Sequence, residues 1–491
     1  MNLAKKIAHN TLIQIIGKII STVLGLFSLA LITRYLGQEG FGEYTTIITF
    51  LTIFAVIADF GLTLVTVQMI SGTKDQLKEN KILNNLFSFR LISILGLLLI
   101  APLVLIFMPY NQAIKLGVLI TALYFVFPAL SQVIIGLLQK RLSMDRAALA
   151  EVLSRIVLVI AILSVWRYDL GLNGILIATV LSGASSFLFH YLFAIKFSTL
   201  KPEFDAKIWK EIFHRSWPLA ITIILNLIYL RTDIIFLSLF KSAGEVGLYG
   251  AAYKVVDVLT TLPFMFAGLI LPILTAAWID KKIDYFKNVL QKSFDIMAII
   301  AIPLIIGGQF LAGPVMQVVA GQEFNKSGII LQLLIIAVSA IFLGTMFSHA
   351  VIALDKQKKL IGFYAFTSIS SLAAYFILIP KFSYFGAAAV TIYSESLIAI
   401  FSAYCVFKYS RFLPNLKTMT RSVISGICMG LFLYYYPDSL QTGVLKLIFT
   451  ILIASMIYFV SLFLIGGIKL EDLKTISKKS SGSQPYNSSN L

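Results

Sequence analysis

The sequence predicts an all-α polytopic membrane protein with about fourteen transmembrane helices. Of its 491 residues, 58% are hydrophobic and only 13% are charged, and the mean hydropathy is +0.90. Soluble globular proteins carry about 25% charged residues, so most of this chain is predicted to contact lipid. Long apolar runs recur along the chain, and one short phrase occurs twice. Internal repetition of this kind is typical of transporters made of two similar helical bundles.

Each apolar run contains about 20 residues or more, which is enough for a helix to cross roughly 30 Å of hydrocarbon. Short polar segments separate the runs. The predicted spans lie near residues 9–35, 44–70, 84–108, 112–138, 147–166, 170–196, 214–240, 248–278, 288–311, 327–354, 359–380, 384–408, 417–436 and 443–467.

The net charge of +17 is concentrated in alternate loops. If the N-terminus is inside, the inside segments hold roughly four times as many Lys and Arg residues as the outside segments. This asymmetry predicts an even number of spans, with both termini on the cytoplasmic side of the membrane. The basic charge is therefore attributed to topology and to anionic lipid, and nucleic acid is excluded as a partner.

The repeated phrase predicts two bundles of six helices. The first copy runs from Gly37 to Tyr44 (GQEGFGEY) and the second from Ser242 to Tyr249 (SAGEVGLY). Six helices return the chain to its starting side, so the two bundles should be related by a pseudo-two-fold axis along the membrane normal. The predicted units are an N-terminal bundle (1–200), a C-terminal bundle (201–411), two additional transmembrane helices (412–467) and a partly disordered cytoplasmic tail (468–491).

The sequence offers no catalytic constellation, and we expect the protein not to be an enzyme. Its loops are short, and it has no Gly-x-x-x-x-Gly-Lys-Ser/Thr phosphate loop. Cys405 and Cys428 lie in predicted membrane helices without metal-ligand spacing. No cofactor and no metal are expected.

Charged residues inside the spans are the candidate functional groups, because a charge at the bilayer centre costs at least about 2.5 kcal/mol and normally faces a partner or a wet cavity. The candidates for substrate binding are five cations: Lys18, Arg231, Lys254, Arg155 and Arg90. Guanidinium and ammonium groups bind phosphate strongly, so these cations suit a polyanionic head group such as a diphosphate. The candidate proton or sodium carriers are Asp233, Asp257 and Glu395.

Local ion pairing is the alternative role for some of these residues. Arg155 follows Glu151 by four positions, and Asp257 follows Lys254 by three, so each pair shares a helix face. Arg90 lies near the predicted cytoplasmic end of its helix, from where a long side chain reaches the membrane surface. Lys18 and Arg231 have no such neighbour. Each lies on the first helix of a six-helix repeat, and we predict that both side chains face one central cavity.

The segment from Arg34 to Tyr44 (RYLGQEGFGEY) resembles the signature that follows the first helix of bacterial polysaccharide-biosynthesis flippases of the O-antigen type. These belong to the multidrug/oligosaccharidyl-lipid/polysaccharide exporter superfamily. Asp233, the segment from Glu245 to Tyr249 with Lys254, and Asp59-Phe60-Gly61 are similar to further segments of that family. The resemblance covers essentially the whole chain.

The resemblance implies a V-shaped pair of bundles that moves undecaprenyl-diphosphate-linked oligosaccharide across the cytoplasmic membrane for cell-surface polysaccharide biosynthesis. It implies alternating access through a cationic lumen, with membrane lipids and a polysaccharide polymerase or glycosyltransferases as further partners. By analogy with the related peptidoglycan-precursor flippase, segments 417–436 and 443–467 are expected to hold the lipid tail. Three alternatives stay open: a peptidoglycan-precursor flippase, a cation-coupled drug exporter, and a membrane glycosyltransferase or polymerase.

Overall fold

The structure is a computed structural model that describes residues 3–71, 75–198, 200–436 and 443–467. Every regular element in these ranges is a helix. The predicted cytoplasmic tail, 468–491, lies outside the described residues.

Fourteen α-helices follow one another along the described chain. They are α1 Leu3–Asp59, α2 Leu62–Ser71, α3 Gln76–Ile106, α4 Gln112–Lys140, α5 Met144–Tyr168, α6 Gly171–Ala194, α7 Ala206–Phe240, α8 Ala243–Ile279, α9 Ile283–Ala320, α10 Lys326–Ala353, α11 Gln357–Phe382, α12 Tyr384–Ser410, α13 Lys417–Tyr435 and α14 Val444–Leu464. Twelve helical segments in the described ranges are long and apolar enough to cross a membrane. One of them, Ile13–Ser71, has 59 residues and is long enough to cross twice, while α13 is not among the twelve.

The first two predicted spans belong to one kinked helix. Inside α1 only Gly37 leaves helical geometry, with φ 64° and ψ −172°. Glycine adopts a positive φ at little cost, so the helix kinks there at a single residue. The second predicted span, near 44–70, therefore begins earlier than expected, because residues 38–44 already form the second arm of α1. In the second copy, Ser242 caps α8 through a capping box with Glu245.

The two copies of the repeated phrase pack against each other. A Cβ built on Gly42 would fall on the carbonyl group of Ala243, and a Cβ built on Gly247 would fall on that of Gln38. Gln38 and Gly42 precede Ala243 and Gly247 by 205 positions each, so the two contacts are equivalent under the repeat. This reciprocal contact places the pseudo-two-fold axis between the two copies, and the end of the molecule that contains residues 34–45 and 241–250 is called the repeat-contact end.

Each tyrosine of the repeated phrase also lies against a threonine of its own bundle. Tyr44 interacts with Thr179 of α6. Tyr249 is within hydrogen-bond distance of Thr391 of α12, at 3.3 Å between oxygens. The two threonines are 212 positions apart, so these contacts are equivalent as well. Packing within a bundle and packing between bundles thus obey the same symmetry.

The segment between the two bundles is bound to α3. Backbone N–H groups of Glu203 and Asp205 donate to the side chains of Ser88 and Asn85. Lys81 forms an ion pair with Asp205 at 2.6 Å. The Lys81 ammonium, with two backbone N–H donors, holds the pKa of the Asp205 carboxyl below its usual range. The end of the molecule that contains residues 200–210 and the α10–α11 turn is called the linker end.

The last two helices attach to the second bundle through α9. The Tyr458 hydroxyl of α14 donates to the carbonyl oxygen of Ile299 at 2.8 Å. Gly426 and Gly430 of α13 lie against Ile306, where a larger residue would collide with it. Glycine here permits close helix approach, which is a common solution for helices packed inside a membrane.

Candidate functional site

Arg231 lies where a groove between the two bundles meets a cavity inside the second bundle. Between the bundles it is flanked by residues of the second arm of α1, including Thr52 and Val56, in a space of about 360 Å³. On its other side it lines a cavity of about 420 Å³ enclosed by α7, α8, α10, α11 and α12. We call the first space the inter-repeat groove and the second the second-repeat cavity.

The Arg231 guanidinium is oriented by α8. Its Nη2 lies 2.8 Å from Asp257 Oδ1, its Nη1 lies 3.5 Å from Asp257 Oδ2, and its guanidinium carbon lies 5.2 Å from the centre of the Tyr253 ring. The Tyr253 hydroxyl donates to the carbonyl oxygen of Leu230. Bidentate pairing and the aromatic face fix the planar group while one third of the side chain stays exposed. The residue is thus positioned and accessible.

Two cations share the Asp257 carboxylate. Lys254 Nζ lies 3.8 Å from Asp257 Oδ2, and its side chain is 40% exposed. The predicted local contact between Lys254 and Asp257 is therefore present, but Arg231 is the closer partner of the carboxylate. One anion for two cations leaves a positive charge between the bundles, where Lys254 and Arg231 line a small space together with Tyr44 and Thr45 of the first bundle.

Arg155 adds positive charge from the first bundle. It interacts electrostatically with Lys254 across the boundary between the bundles. The predicted pair with Glu151 is displaced, because the Glu151 carboxylate binds Lys18 Nζ at 3.2 Å and accepts a hydrogen bond from Ser21 at 2.7 Å. Within the described ranges Arg155 has no carboxylate within the 4.0 Å that defines an ion pair.

Lys18 is connected to this cluster only indirectly. Its partner Glu151 interacts electrostatically with Arg155, which in turn interacts with Lys254. The Lys18–Glu151 pair is more than one third exposed on both sides. The structure therefore brings Arg155, Arg231 and Lys254 together, and places Lys18 beside them in the first bundle with its own counter-ion.

Arg90 has a structural position instead. It is 3% exposed and forms an ion pair with Asp59, which also accepts a hydrogen bond from Thr63. The helix breaks directly after Asp59, at Phe60 and Gly61, both with positive φ. Arg90 neither extends to the membrane surface nor lies on the cation cluster. Its predicted role in substrate binding finds no support in this position, which instead suits a stabilising contact at the break between α1 and α2.

Replacing Asp59 with asparagine is expected to destabilise the protein by about 3–5 kcal/mol, because it leaves the buried Arg90 without a counter-charge. Denaturation of the purified protein in detergent measures the loss. Asp284→Asn, at an exposed position in the first turn of α9, should change the free energy of unfolding by less than about 0.5 kcal/mol. Equal stability of the two variants would contradict the role given to Arg90.

The three candidate proton or sodium carriers have different surroundings. Asp233 is fully buried and accepts hydrogen bonds from the Tyr249 hydroxyl at 2.7 Å and from the backbone N–H of Ile234 at 2.8 Å. Glu395 is 8% exposed and lines the second-repeat cavity, and its Oε1 is buried without a hydrogen-bond partner in the described part of the chain. Asp257 is occupied by Arg231 and Lys254, so it is the least free of the three.

Sequence reasoning missed the polar residues that α10 and α11 contribute to the second-repeat cavity. Ser348, His349, Gln357 and Tyr364 all line it. The signal available was weak: polar residues near the ends of two apolar helices also occur where helices simply pack. Only the arrangement of five helices around one space distinguishes the two cases.

An apolar groove lies between α8, α9, α10, α13 and α14. Its volume is about 390 Å³, and its lining includes Pro303, Gly307, Met429 and Leu433. Among the described residues, no group of three or more His, Cys, Asp or Glu side chains is placed to hold a metal ion.

Three comparisons with known proteins relate to this architecture. The family model described as Polysaccharide biosynthesis protein matches residues 7–278. The chain is 24% identical over 401 residues to the capsular polysaccharide biosynthesis protein CapF of Staphylococcus aureus, covering 80% of this chain and 97% of that one. It is 26% identical over 405 residues to a Shigella flexneri protein named “Putative O-antigen transporter”, covering 78% of this chain and 93% of that one.

Among solved structures, the lipid II flippase MurJ in an inward closed conformation has the same fold, with a TM-score of 0.76 and 17% sequence identity. The match covers 94% of this chain and 99% of that one. At this identity the likeness concerns the fold alone.

Proposed function

Because the chain belongs to the polysaccharide biosynthesis protein family, we propose that it is a flippase for undecaprenyl-diphosphate-linked oligosaccharide. The observation that supports this proposal most directly is the cation cluster between the bundles, where Arg231 and Lys254 share one carboxylate, Asp257, and Arg155 interacts electrostatically with Lys254. A diphosphate supplies the negative charge that this cluster lacks. The proposed activity is transport, without making or breaking a covalent bond.

The diphosphate binds where Arg231 and Lys254 are exposed. Arg231 offers its remaining N–H donors to phosphate oxygens while Asp257 and Tyr253 keep the guanidinium oriented, and Lys254 of α8 adds a compact charge beside it. Arg155 approaches from the first bundle, so that phosphate binding joins the two bundles electrostatically. Lys18 serves as an entry contact, held in place by Glu151.

Alternating access follows from the position of the contact between the bundles. Gly42 and Gly247 close the repeat-contact end, and Arg34 strengthens the closure by donating to the carbonyl oxygens of Gln317 and Val318 at the end of α9. Opening that end requires these contacts to separate while the bundles stay rigid. We propose that the repeat-contact end faces outward and that both termini lie on the cytoplasmic side of the inner membrane.

The polyprenyl tail stays in lipid and in the apolar groove during transport. The groove between α9, α13 and α14 has the apolar lining that an isoprenoid chain requires. Separating the charged head from the apolar tail keeps diphosphate and sugars out of the hydrocarbon, where each unpaired charge costs at least about 2.5 kcal/mol.

Energy for transport comes from an ion gradient, the membrane potential or the substrate concentration. Asp233 is the proposed proton or sodium carrier, because its carboxyl group is buried inside the second bundle without a cation within ion-pair distance in the described chain. Polysaccharide polymerase or glycosyltransferases are the proposed further partners, which supply or consume the same lipid-linked sugar.

The test is flipping of a fluorescent undecaprenyl-diphosphate-linked oligosaccharide in proteoliposomes, followed by an impermeant quencher. In protein-containing vesicles the quencher is expected to reach the probe in the outer leaflet first and then, as flipping proceeds, the probe that began in the inner leaflet. In protein-free vesicles only the probe in the outer leaflet should be quenched. The absence of protein-dependent movement, with and without an imposed proton or sodium gradient, would overturn the proposal.

A further inference from the structure

The second-repeat cavity lies inside one bundle and adjoins the groove between the bundles at Arg231. It extends from Gln357 at the α10–α11 turn to Arg231 near the middle of α7. Its volume of about 420 Å³ falls within the range of about 300–1,000 Å³ typical of small-molecule sites. It therefore has room for a sugar-sized ligand beside the cation cluster.

The lining of this cavity combines aromatic surface with scattered hydrogen-bonding groups. Tyr229, Tyr253 and Tyr364 line part of its wall, and the polar residues come from all five surrounding helices. They include Asn226, His349, Gln357 and Glu395. Apolar walls with a few convergent polar groups are the usual composition of a ligand pocket.

Glu395 is the group that most requires a ligand. Glu395 is only 8% exposed, and its Oε1 has no hydrogen-bond partner among the described residues. In the described chain no cation lies within ion-pair distance of Glu395. Arg231, which lines the same cavity, is paired with Asp257. A carboxylate accepts several hydrogen bonds at once, and adjacent hydroxyl groups of a sugar supply such donors.

His349 offers a complementary acceptor. Its Nδ1 lies 2.9 Å from the carbonyl oxygen of Thr345, one turn earlier on α10. Because a carbonyl only accepts, Nδ1 must donate, and in the neutral ring Nε2 is left as an acceptor. The cavity thus presents acceptors at Glu395 and His349, while the Asn226 and Gln357 amides both donate and accept.

Arg231 connects this cavity to the phosphate site. The same residue lines the second-repeat cavity and the inter-repeat groove. In the proposed substrate the first sugar is attached directly to the diphosphate. When the diphosphate is bound at Arg231, that sugar must therefore lie next to the guanidinium. The cavity is the polar space available there in the second bundle.

We propose that the second-repeat cavity binds the sugar residues next to the diphosphate, with Glu395 accepting hydrogen bonds from their hydroxyl groups. This inference rests on the proposed flippase function and assigns the sugar end of its substrate to one bundle. It makes Glu395 a specificity residue in place of an ion carrier. The two roles predict different effects of the same substitution.

The experiment compares two probes on purified protein in nanodiscs: undecaprenyl diphosphate, and lipid-linked oligosaccharide extracted from cells that make the protein. Glu395→Gln should weaken binding of the sugar-bearing probe by about tenfold, as for a lost hydrogen bond to a charged group, and leave bare undecaprenyl diphosphate within about twofold. Ala340→Phe, which fills the cavity from α10, should do the same without altering any charge.

Matched controls are Glu211→Gln, at an exposed position of α7, and Ala276→Phe, at an exposed position of α8. Both should leave the two affinities unchanged. If Glu395→Gln and Ala340→Phe change neither probe, or change both equally, the sugar site is wrong. If the unmodified protein binds neither probe, the flippase proposal fails as well, so the two failures are distinguishable. A loss of gradient-driven flipping in Glu395→Gln with both affinities preserved would assign the residue to coupling and overturn the sugar site.

Discussion

Arg231→Ala is expected to slow flipping of the lipid-linked oligosaccharide by about tenfold to a hundredfold. A hydrogen-bonded contact to a charged group is worth about 1.5–3 kcal/mol, and each 1.4 kcal/mol corresponds to a factor of ten in rate. The substitution removes the oriented fork and leaves Asp257 paired with Lys254 alone, at 3.8 Å. The initial rate of probe movement in proteoliposomes measures the effect.

Arg215→Ala is the matched control on the same helix. Arg215 is exposed and pairs with Glu211 one turn earlier, far along α7 from the cation cluster. It should transport at the unmodified rate, because exposed pairs contribute about 0–1 kcal/mol. Arg231→Lys should be intermediate, since it keeps the charge and loses bidentate geometry. Full activity of Arg231→Ala protein would mean that the diphosphate binds elsewhere.

Gly42→Ala is expected to force the two bundles apart at the repeat-contact end. The new methyl group would overlap the backbone of Ala243, which has no rotamer to move aside. Overpacking of this kind typically costs about 1–3 kcal/mol. Because the overlap exists only when the bundles touch, the cost favours conformations in which that end is open, by about tenfold for each 1.4 kcal/mol.

Disulfide formation between Glu39→Cys and Gly244→Cys reports on this contact. A Cβ on Gly244 lies 3.8 Å from Glu39 Cγ, so the pair should cross-link readily when Cys405 and Cys428 are replaced by serine. Gly42→Ala should lower the cross-linking rate. Gly25→Ala, on the first arm of α1, places its new Cβ where no atom lies within 4 Å, so it should not lower the cross-linking rate. Equal rates in both variants would show that the bundles meet differently.

Several features of the fold could be predicted because they depend on local composition. Lipid contact requires long apolar runs, so helix positions follow from hydropathy alone. The repeated phrase predicted two equivalent bundles, whereas the reciprocal contacts of Gly42 and Gly247 became visible only in the structure. The sequence did not predict that the break between the first two spans is a single residue, Gly37. The length of such a break depends on how the two arms of the helix pack, which local composition does not determine.

The candidate site was predicted less completely. Its charged residues stand out in an apolar sequence, because burying a charge is costly and therefore rare. Their partners did not follow from spacing: Glu151 binds Lys18, 133 positions away, rather than Arg155 on the adjacent turn. Arg231 likewise binds Asp257 on the next helix. Ion pairs between helices depend on rotation and tilt, which helix periodicity does not determine.

The sequence by itself determined the membrane class, the helix positions, the repeat and the set of buried charges, because each depends on the composition of a short segment in lipid. Only the tertiary structure decided which charges are shared, which are isolated and which helices enclose a cavity. Arg90 became structural and Glu395 became the unpartnered carboxyl of a polar cavity through the packing of distant helices. The physical reason is that electrostatic pairing and cavity shape depend on distances between segments, and a single sequence specifies only distances along the chain.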